Sequence, residues 1–378
     1  AREGGVPVWT RARALAALVN DRVLVAVGGT HGKTTITAMA TLAARAAGLD
    51  PTGVVGGRVP EWGAHAVPGA SDVAVVEADE YDGSFLELHP DLAVVSSVEP
   101  EHLESYGGRE ELEEAFARFA RRAACRLGVL RCLDDAGARA LGEEADGPGY
   151  GFAEEAAYRV VPLSDGDGDA GSDAGPRVRR ARMEAPEAAF EFGLGAPGRH
   201  NLQNAAAALA VALRLGADPS DLEEALTGFR GVERRLELLA DAGGVAVVDD
   251  YAHHPTEVRA SQDAVRETWP GRRLVTVFQP HLFSRTEQFA GEFGRALSAA
   301  DEALVLPVYP AREEPRPGVD ASLIVDAAPG LVPVEAGEAL ERVAEAGDGT
   351  VLLFMGAGDV TELAHRAAEE VERRALEA

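Results

Sequence analysis

Seven short runs of apolar and β-branched residues recur along this 378-residue chain, with helix-like stretches between them. Continuously apolar runs of this kind predict parallel strands that helices cover on both faces. Polar motifs follow nearly every run, and ligands of open α/β sheets bind at the carboxyl ends of the strands. The runs are Arg22–Val27, Asp72–Glu77, Leu92–Val98, Val245–Asp249, Leu274–Phe278, Ala303–Val308 and Val351–Met355.

Residues 142–198 interrupt this pattern, because they are rich in Gly, Asp, Glu and Pro. Short alternating pieces at Tyr158–Leu163 and Ala189–Gly193 predict a small antiparallel insert. Between them, Ser164–Gly175 reads SDGDGDAGSDAG. Its spaced aspartates resemble the start of a calcium loop, but the glycine and the glutamate of that motif are missing. We therefore expect a solvated, flexible loop.

The remaining pattern divides the chain into domains, as expected for a chain too long for one compact core. Helices are predicted at Asn201–Leu215 and Pro219–Phe229, and a new strand–helix series follows Leu236–Gly244. We predict an α/β fold with a central P-loop domain and a Rossmann-like C-terminal domain. The central domain has a mostly parallel sheet and carries the antiparallel insert. The predicted bounds are 21–238 for the central domain and 239–378 for the C-terminal domain.

The first apolar run ends in the glycine loop Gly29-Thr30-His31-Gly32-Lys33-Thr34-Thr35, which a helical stretch follows. Glycines let backbone N–H groups approach phosphate oxygens, and a helix N-terminus adds partial positive charge. Lys33 would reach the β- and γ-phosphates of a nucleotide, and Thr34 would place its hydroxyl on Mg²⁺. The strict GxxxxGK[ST] pattern fails, because Val27 stands where its first glycine belongs.

Lys33 is the only lysine among the 36 basic residues of the chain. Arginine has taken every other basic position, so a lysine kept in a glycine loop indicates a site that a planar guanidinium does not serve. We conclude that the loop binds ATP or GTP.

Acidic residues and a histidine follow the next two runs. Glu77-Ala78-Asp79-Glu80 ends the second run, and acids at this place beside a phosphate loop usually hold Mg²⁺. Glu77 is the preferred ligand because it is closest to the strand, although alone these acids could equally be solvated. His102, after the third run, is a further candidate metal ligand.

Nine motifs together resemble the Mur ligases, most closely their alanine-adding branch, from about Ala1 to the end of the chain and in the order of the family. They are GTHGKTT, EADEYDGSFL, VEPEHLESYGG, PGRHNLQNAAAALAVA, FRGVERRLE, DDYAHHPTE, FQPHLFSRT, LPVYPAREEP and GAGD.

The resemblance implies an ATP-dependent amide ligase of peptidoglycan precursor synthesis, with Mg²⁺ as cofactor. Its substrates would be UDP-N-acetylmuramate and L-alanine, joined through an acyl phosphate. Two other functions stay open. One is a murein-peptide recycling ligase of the same family, and the other is an ATP-binding protein without ligase activity.

The resemblance also assigns roles to residues. Lys33, Thr34 and Thr35 would bind the ATP phosphates, Glu77 and Thr34 one Mg²⁺, and His102 would lie near a second. The remaining implied contacts are Asn201 and Asn204 with adenine, Arg235 with the γ-phosphate, Asp250 with ATP, and His253 and Arg285 with the incoming alanine. For His254 and His281 we expect structural hydrogen bonds.

Three departures from the family pattern are visible. Lys33 cannot also serve as the carboxylated lysine that some branches place between two metal ions. Leu282 stands where many alanine-adding members carry arginine, which puts one carboxylate contact in doubt. The family also begins with a domain that holds the UDP moiety. Here only 1–20, with a helix at Thr10–Asn20, is expected to correspond to its end.

Composition excludes some partners. The net charge of −27 disfavours nucleic acid, because such a surface repels phosphate backbones. No apolar run is long enough for membrane insertion. The two cysteines, Cys125 and Cys132, fit neither a disulfide framework nor a metal pair, so we expect buried thiols in the cytoplasm.

Overall fold

The computed structural model describes residues 7–101, 103–123, 126–141, 147–163 and 177–377. These residues form two compact units. The first unit comprises the described residues within 7–163, 178–196 and 200–229, and the second comprises 177, 197–199 and 230–377. His102, Cys125 and the aspartate-rich loop 164–175 lie outside the described residues.

The first unit is built on one ten-stranded sheet. Its strands are β1 (Val23–Gly28), β2 (Thr52–Val59), β3 (Ala64–Val67), β4 (Val73–Glu77), β5 (Leu92–Val95), β6 (Gly128–Cys132), β7 (Gly149–Gly151), β8 (Tyr158–Pro162), β9 (Arg179–Glu184) and β10 (Ala189–Leu194). Its helices are α1 (Arg11–Val19), α2 (Lys33–Ala46), α3 (Leu103–Tyr106), α4 (Arg109–Ala123), α5 (Ala136–Ala140) and α6 (Arg199–Arg214).

The order of the strands is β10-β9-β8-β7-β6-β5-β1-β4-β2-β3. Strand β1 is central and pairs in parallel with β4 and β5, with Val27 opposite Glu77 and Gly28 opposite Val95. Parallel strands in register end at the same edge, so the segments after β1, β4 and β5 meet there. The predicted parallel sheet is confirmed.

Helices cover this sheet with their apolar faces. Helix α4 buries Leu112, Phe116 and Phe119, and Phe85 packs against both phenylalanine rings, with centroids 5.1 and 5.0 Å away. Acidic side chains in its first turn and basic ones in its last turn complement the helix dipole. Helix α1 begins after Thr10, whose side chain accepts a hydrogen bond from Arg13 N.

The expected antiparallel strands are present as β8, β9 and β10, which pair in antiparallel succession. They are not a separate subdomain, however. Strand β7 pairs in parallel with β6 and with β8, which joins the three strands to the central sheet.

The helix predicted at Pro219–Phe229 is wrong, because only a short 3-10 helix forms there, at Pro219–Asp221. Leu222, Leu226 and Phe229 are buried at helical spacing, which misled the prediction. The segment instead supplies acceptors to the chain around β10: Gly193 N donates to Glu223 O at 3.0 Å and Gly195 N to Leu226 O at 3.1 Å. The segment forms successive tight turns, with Ala225 N donating to Leu222 O at 3.3 Å and Thr227 N to Glu224 O at 3.2 Å, so that its carbonyls satisfy these edge N–H groups.

The second unit is a six-stranded sheet with helices on both faces. Its strands are β11 (Glu237–Ala242), β12 (Val245–Asp250), β13 (Arg273–Phe278), β14 (Glu302–Val305), β15 (Leu331–Pro333) and β16 (Thr350–Met355). Its helices are α7 (Pro255–Thr268), α8 (Phe283–Leu297), α9 (Ser322–Val325), α10 (Ala336–Ala344) and α11 (Val360–Glu377).

The order of these strands is β11-β12-β16-β13-β14-β15, and only the edge strand β11 is antiparallel to its neighbour among them. Two apolar clusters lie on this sheet, one containing Phe278, Phe293 and Leu353 and the other Val247 and Phe354. The predicted Rossmann-like arrangement is confirmed. Within the described ranges, every helix is too short or too polar to cross a bilayer.

Leu353→Ala should destabilise the second unit by about 2–5 kcal/mol, because it leaves a cavity beside a well-packed strand. Leu353 is fully buried in the middle of β16, at 0% exposure. The control Leu376→Ala removes a side chain that is 89% exposed and should change the free energy of unfolding by less than about 0.5 kcal/mol. Chemical denaturation measures both, and equal midpoints for the two variants would contradict this packing.

Candidate active site

The turn between β1 and α2 depends on two glycines in left-handed backbone regions. Gly29 has φ 131°, and a Cβ there would lie 2.0 Å from Ser96 Oγ. Gly32 has φ 80° and is the N-cap of α2, and a Cβ there would lie 2.7 Å from Asn204 Oδ1. A side chain at either position would meet both strain and a clash. The loop therefore presents backbone N–H groups at the helix N-terminus, as an anion site requires.

The segment after β5 holds this loop in shape. Thr30 N donates to Ser97 O at 3.0 Å, and His31 N donates to Ser97 Oγ at 2.9 Å. Glu99 N donates to Thr30 Oγ1 at 2.9 Å. The backbone of the predicted phosphate loop is thus fixed by hydrogen bonds with a neighbouring strand end.

The ammonium of Lys33 lies inside the loop, with its side chain 14% exposed. Its Nζ donates to Gly29 O at 2.6 Å, to Thr30 O at 3.1 Å and to the Glu80 carboxylate. Burial alone would lower the pKa of Lys33, but the negative charges of Glu80, Glu77 and Glu101 outweigh it and raise that pKa. Lys33 is therefore held in its charged form.

Two acids after β4 take different positions. Glu77 ends the strand, and its Oε2 accepts a hydrogen bond from Gly56 N at 2.5 Å. Glu80 is 2% exposed, and its carboxylate oxygens lie 2.7 and 3.0 Å from Lys33 Nζ. Burial raises the pKa of Glu80 to about 7, against the opposing effect of the Lys33 charge. The acid in contact with the lysine is thus Glu80, whereas the sequence favours Glu77 as the acid of this site.

Asn201 and Asn204 lie beside the loop on the first turns of α6, 6% and 8% exposed. Asn204 Nδ2 donates to Asn201 Oδ1 at 3.1 Å, and the contact with Gly32 described above brings the pair to the helix N-terminus of α2. The structure thus brings these predicted residues to Lys33, Thr34 and Thr35, the last two buried in the first turn of α2.

Two histidines, His31 and His102, are further candidate site residues. His31 Nε2 lies 3.5 Å from Glu99 Oε2, so the third residue of the loop faces an acid. His102 falls outside the described residues, and its predicted place near a metal stays a prediction.

In the second unit, Asp250 at the end of β12 organises the turn that carries Arg235. Its carboxylate accepts from Leu236 N and from Ala252 N, each at 2.7 Å. Burial raises the pKa of Asp250 to about 6, against the opposing charge of Arg235. The Arg235 guanidinium lies over the Tyr251 ring, 5.1 Å from its centroid, and 3.6 Å from Glu257.

His253, His281 and Arg285 form a second cluster in this unit. His253 Nδ1 lies 2.9 Å from Tyr251 O, and its ring centroid is 6.1 Å from that of His281. Arg285, 7% exposed, places Nη1 3.3 Å from His281 Nδ1. Burial, and then the charges of neighbouring groups including Arg285, lower the pKa of His281 to about 4. A neutral His281 can accept from Arg285, and the structural hydrogen bonding expected for it is confirmed.

His254 caps α7, as the expected structural role requires. Its Nδ1 accepts from Thr256 N at 3.4 Å, while Glu257 Oε2 accepts from His254 N at 3.3 Å, which completes a capping box. Leu282 is buried at 4% exposure and caps α8 with φ 72°, a strained backbone for leucine. Its side chain belongs to the core rather than to the Arg285 cluster.

Sequence reasoning missed the contacts of Glu80, Tyr251 and Glu257. The sequence identifies Glu80 as one of three acids that follow a strand, but it does not predict the direction of the Glu80 side chain. Tyr251 and Glu257 stand inside the quoted motif DDYAHHPTE, which was the available signal.

Two family models match the chain. The Mur ligase middle domain matches residues 27–212, and the domain described as "Mur ligase, glutamate ligase domain" matches residues 234–358. A UDP-N-acetylmuramate–L-alanine ligase of Paenarthrobacter aurescens is 45% identical over 368 residues, covering 96% of this chain and 78% of that protein. One of Renibacterium salmoninarum is 46% identical, covering 96% and 77%.

Solved structures give the same picture. The UDP-N-acetylmuramate–alanine ligase of Thermotoga maritima superposes with a TM-score of 0.80 at 28% identity, covering 99% of this chain and 81% of that one. A murein peptide ligase of Psychrobacter arcticus has a TM-score of 0.66 at 21% identity, covering 98% and 82%. That second likeness concerns the fold alone.

Acid should destabilise the second unit through His281. Its pKa in the fold is about 4, below the ordinary 6.5, so the unfolded chain binds its proton first as pH falls. The stabilisation is complete above pH 6.5 and is lost between pH 6.5 and 4. Because the side chain is partly exposed, we expect a loss of about 1 kcal/mol.

The difference in unfolding free energy between wild type and His281→Asn, measured from pH 7 to 4.5, isolates this contribution. Asparagine keeps an acceptor for Arg285 without titrating. A wild-type advantage that stays constant across this range would contradict the assigned protonation state.

Proposed function

This chain belongs to the Mur ligase family, and we propose that it joins L-alanine to the carboxylate of UDP-N-acetylmuramate while ATP is cleaved to ADP and inorganic phosphate. The observation that carries the proposal is the single lysine, held charged within a glycine loop at the N-terminus of α2. Relatives at 45% and 46% identity over most of the chain carry that activity in their names. The reaction would take place in the cytoplasm, as one step of peptidoglycan precursor synthesis.

The proposed chemistry has two steps. A carboxylate oxygen of UDP-N-acetylmuramate attacks the γ-phosphorus of ATP, and the bond between that phosphorus and the β,γ-bridging oxygen breaks. ADP departs, and the carboxylate is converted to an acyl phosphate. The amine of L-alanine, having lost a proton, then attacks the acyl carbon and inorganic phosphate departs. Such catalysis consists mainly of positioning and of offsetting phosphate charge.

The first unit fits the nucleotide. The first turn of α2, which begins at Lys33, offers backbone N–H groups that have no partner within the helix, and Lys33 offers a compact ammonium for the β- and γ-phosphates. Thr34 and Thr35 follow in the first turn of α2. The buried amides of Asn201 and Asn204 would contact adenine, as the family resemblance implies.

A divalent cation also fits this unit, because the Thr34 hydroxyl and the Glu77 carboxylate are hard oxygen donors of the kind that Mg²⁺ prefers. Bound there, Mg²⁺ would offset negative charge on the phosphates. His102 is proposed near a second ion. The Glu77 carboxylate is near enough for its charge to raise the pKa of Lys33, and Thr34 follows Lys33 in the first turn of α2.

The second unit supplies the other proposed contacts. Arg235 would reach the γ-phosphate, and Asp250 would contact ATP. His253 and Arg285 would hold the alanine amine and carboxylate, and the neutral His281 orients Arg285 through its ring nitrogen. We propose that the central ATP-binding domain spans 21–238 and the C-terminal domain 239–378.

Two alternatives make different predictions for substrate use. A murein-peptide recycling ligase would attach a preformed tripeptide to the same sugar nucleotide. An ATP-binding protein without ligase activity would bind nucleotide and release no phosphate. The two relatives at 45% and 46% identity, both named UDP-N-acetylmuramate–L-alanine ligases, support the alanine-adding reaction.

Phosphate release should depend on L-alanine and UDP-N-acetylmuramate together. Turnover with L-alanine should exceed turnover with the tripeptide by about 10²-fold, the scale on which a site that pairs with substrate polar groups discriminates. Coupled phosphate assays with each amino acid and with the tripeptide measure it. A preference for the tripeptide would establish the recycling reaction instead.

Lys33→Arg should lower kcat by about 10²–10³-fold while the fold is kept, since the guanidinium does not reproduce a compact ammonium at the phosphates. The reciprocal control Arg118→Lys changes an exposed position of α4 and should leave both activity and stability unchanged. Steady-state phosphate release and thermal unfolding measure both variants. Near-wild-type turnover of Lys33→Arg would refute the proposed role of the loop.

A further inference from the structure

The three N–H donors of the Lys33 ammonium are already directed to protein acceptors. Two of those acceptors, Gly29 O and Thr30 O, are carbonyls of the loop itself, at 2.6 and 3.1 Å. The third is the Glu80 carboxylate, at 2.7 and 3.0 Å. A phosphate oxygen that binds Lys33 must therefore displace one of them or share its donor.

Glu80 is the acceptor that conflicts most with a triphosphate. The loop carbonyls are neutral, whereas Glu80 brings a negative charge that is 3% exposed and only weakly screened by water. If phosphates bound the same ammonium, the phosphate oxygens and the Glu80 carboxylate would compete for Lys33 at a position that water screens poorly. The burial that raises the pKa of Glu80 to about 7 reflects the same unfavourable surroundings for its charge.

The backbone of Glu80 is fixed, so its side chain stays near the lysine. Gly83 N donates to Glu80 O at 3.0 Å, and the Tyr106 hydroxyl donates to the same oxygen. Asp82 and Gly83, with φ 55° and 68°, turn the chain directly after it. This anchoring distinguishes Glu80 from a solvated loop acid.

We propose that Glu80 is a positioning residue that holds Lys33 in competition with the nucleotide. It keeps the only lysine charged and folded onto its own loop, and ATP must take the ammonium from it. Part of the binding energy of ATP is therefore used to break the Lys33–Glu80 pair. The inference rests on the proposed ATP site and assigns a role to a residue outside the predicted set.

Glu80→Gln tests the proposal directly. The amide keeps the shape of the side chain and one acceptor oxygen, but it removes the charge. A hydrogen bond to a charged group is worth on the order of tenfold in an equilibrium constant, so the Kd for ATP should fall by about tenfold. An acid with a purely supporting role would give weaker binding when replaced. Calorimetric titration with the β,γ-imido analogue of ATP and Mg²⁺ measures the Kd without turnover.

Three further variants make the result specific. Asp79→Asn removes the negative charge of a neighbouring acid, whose Oδ1 accepts a hydrogen bond from Tyr81 N at 3.1 Å. This control should change the Kd for the ATP analogue by less than about twofold. Glu80→Asp keeps the charge but withdraws it by one methylene, and should tighten binding to a smaller extent than Glu80→Gln. In a Lys33→Ala background, Glu80→Gln should have a smaller effect on the Kd than in wild type, because the pair that it breaks no longer exists.

The outcomes separate this inference from the proposed function. A wild-type protein that does not bind the analogue contradicts the proposed function before any variant is compared. If wild type binds and folded Glu80→Gln has an equal or higher Kd, the competition is refuted and the ATP site stands. Should Glu80→Gln fail to fold, Glu80→Asp decides: a lower Kd than wild type supports the competition, and an unchanged or higher one overturns it.

Discussion

A buried ammonium needs acceptors for all of its donors, and in the first unit this requirement connects two separate parts of the chain. Lys33 reaches the carbonyls of Gly29 and Thr30 and the carboxylate of Glu80. Those acceptors come from the turn after β1 and from the segment after β4. They can meet because β1 and β4 pair in parallel and end at the same edge of the sheet. The register of β1 and β4 therefore brings the Glu80 carboxylate to the glycine loop, where it offsets the charge of the Lys33 ammonium.

The second unit uses an anion in a comparable way. The Asp250 carboxylate accepts from two backbone N–H groups and so fixes the turn through Leu236 on one side and Ala252 on the other. Arg235 lies within this turn and offsets the charge of the aspartate. Backbone N–H groups and one cation together stabilise this buried carboxylate. A cation alone would leave more of the hydrogen-bonding capacity of the carboxylate oxygens unsatisfied.

Much of this could be predicted from residues alone. The apolar runs gave the strands because burial on both faces demands continuous apolar sequence, and the loop was recognisable from its glycines and Lys33. The helix predicted at 219–229 does not form, because apolar residues at helical spacing can also be buried by a succession of tight turns. The pairing of Lys33 with Glu80 was beyond prediction, since the direction of a side chain after a strand depends on the turn that follows it.

The near absence of lysine has a chemical consequence for the whole molecule. Amines react with acylating and carbonyl reagents only when deprotonated, and this chain has one ε-amino group. That group is 14% exposed, and the surrounding acids raise its pKa further. Guanidinium groups are poor nucleophiles at neutral pH. The ε-amino groups of this protein therefore offer such reagents a single target, and the carboxylate of Glu80 keeps that amine protonated and unreactive.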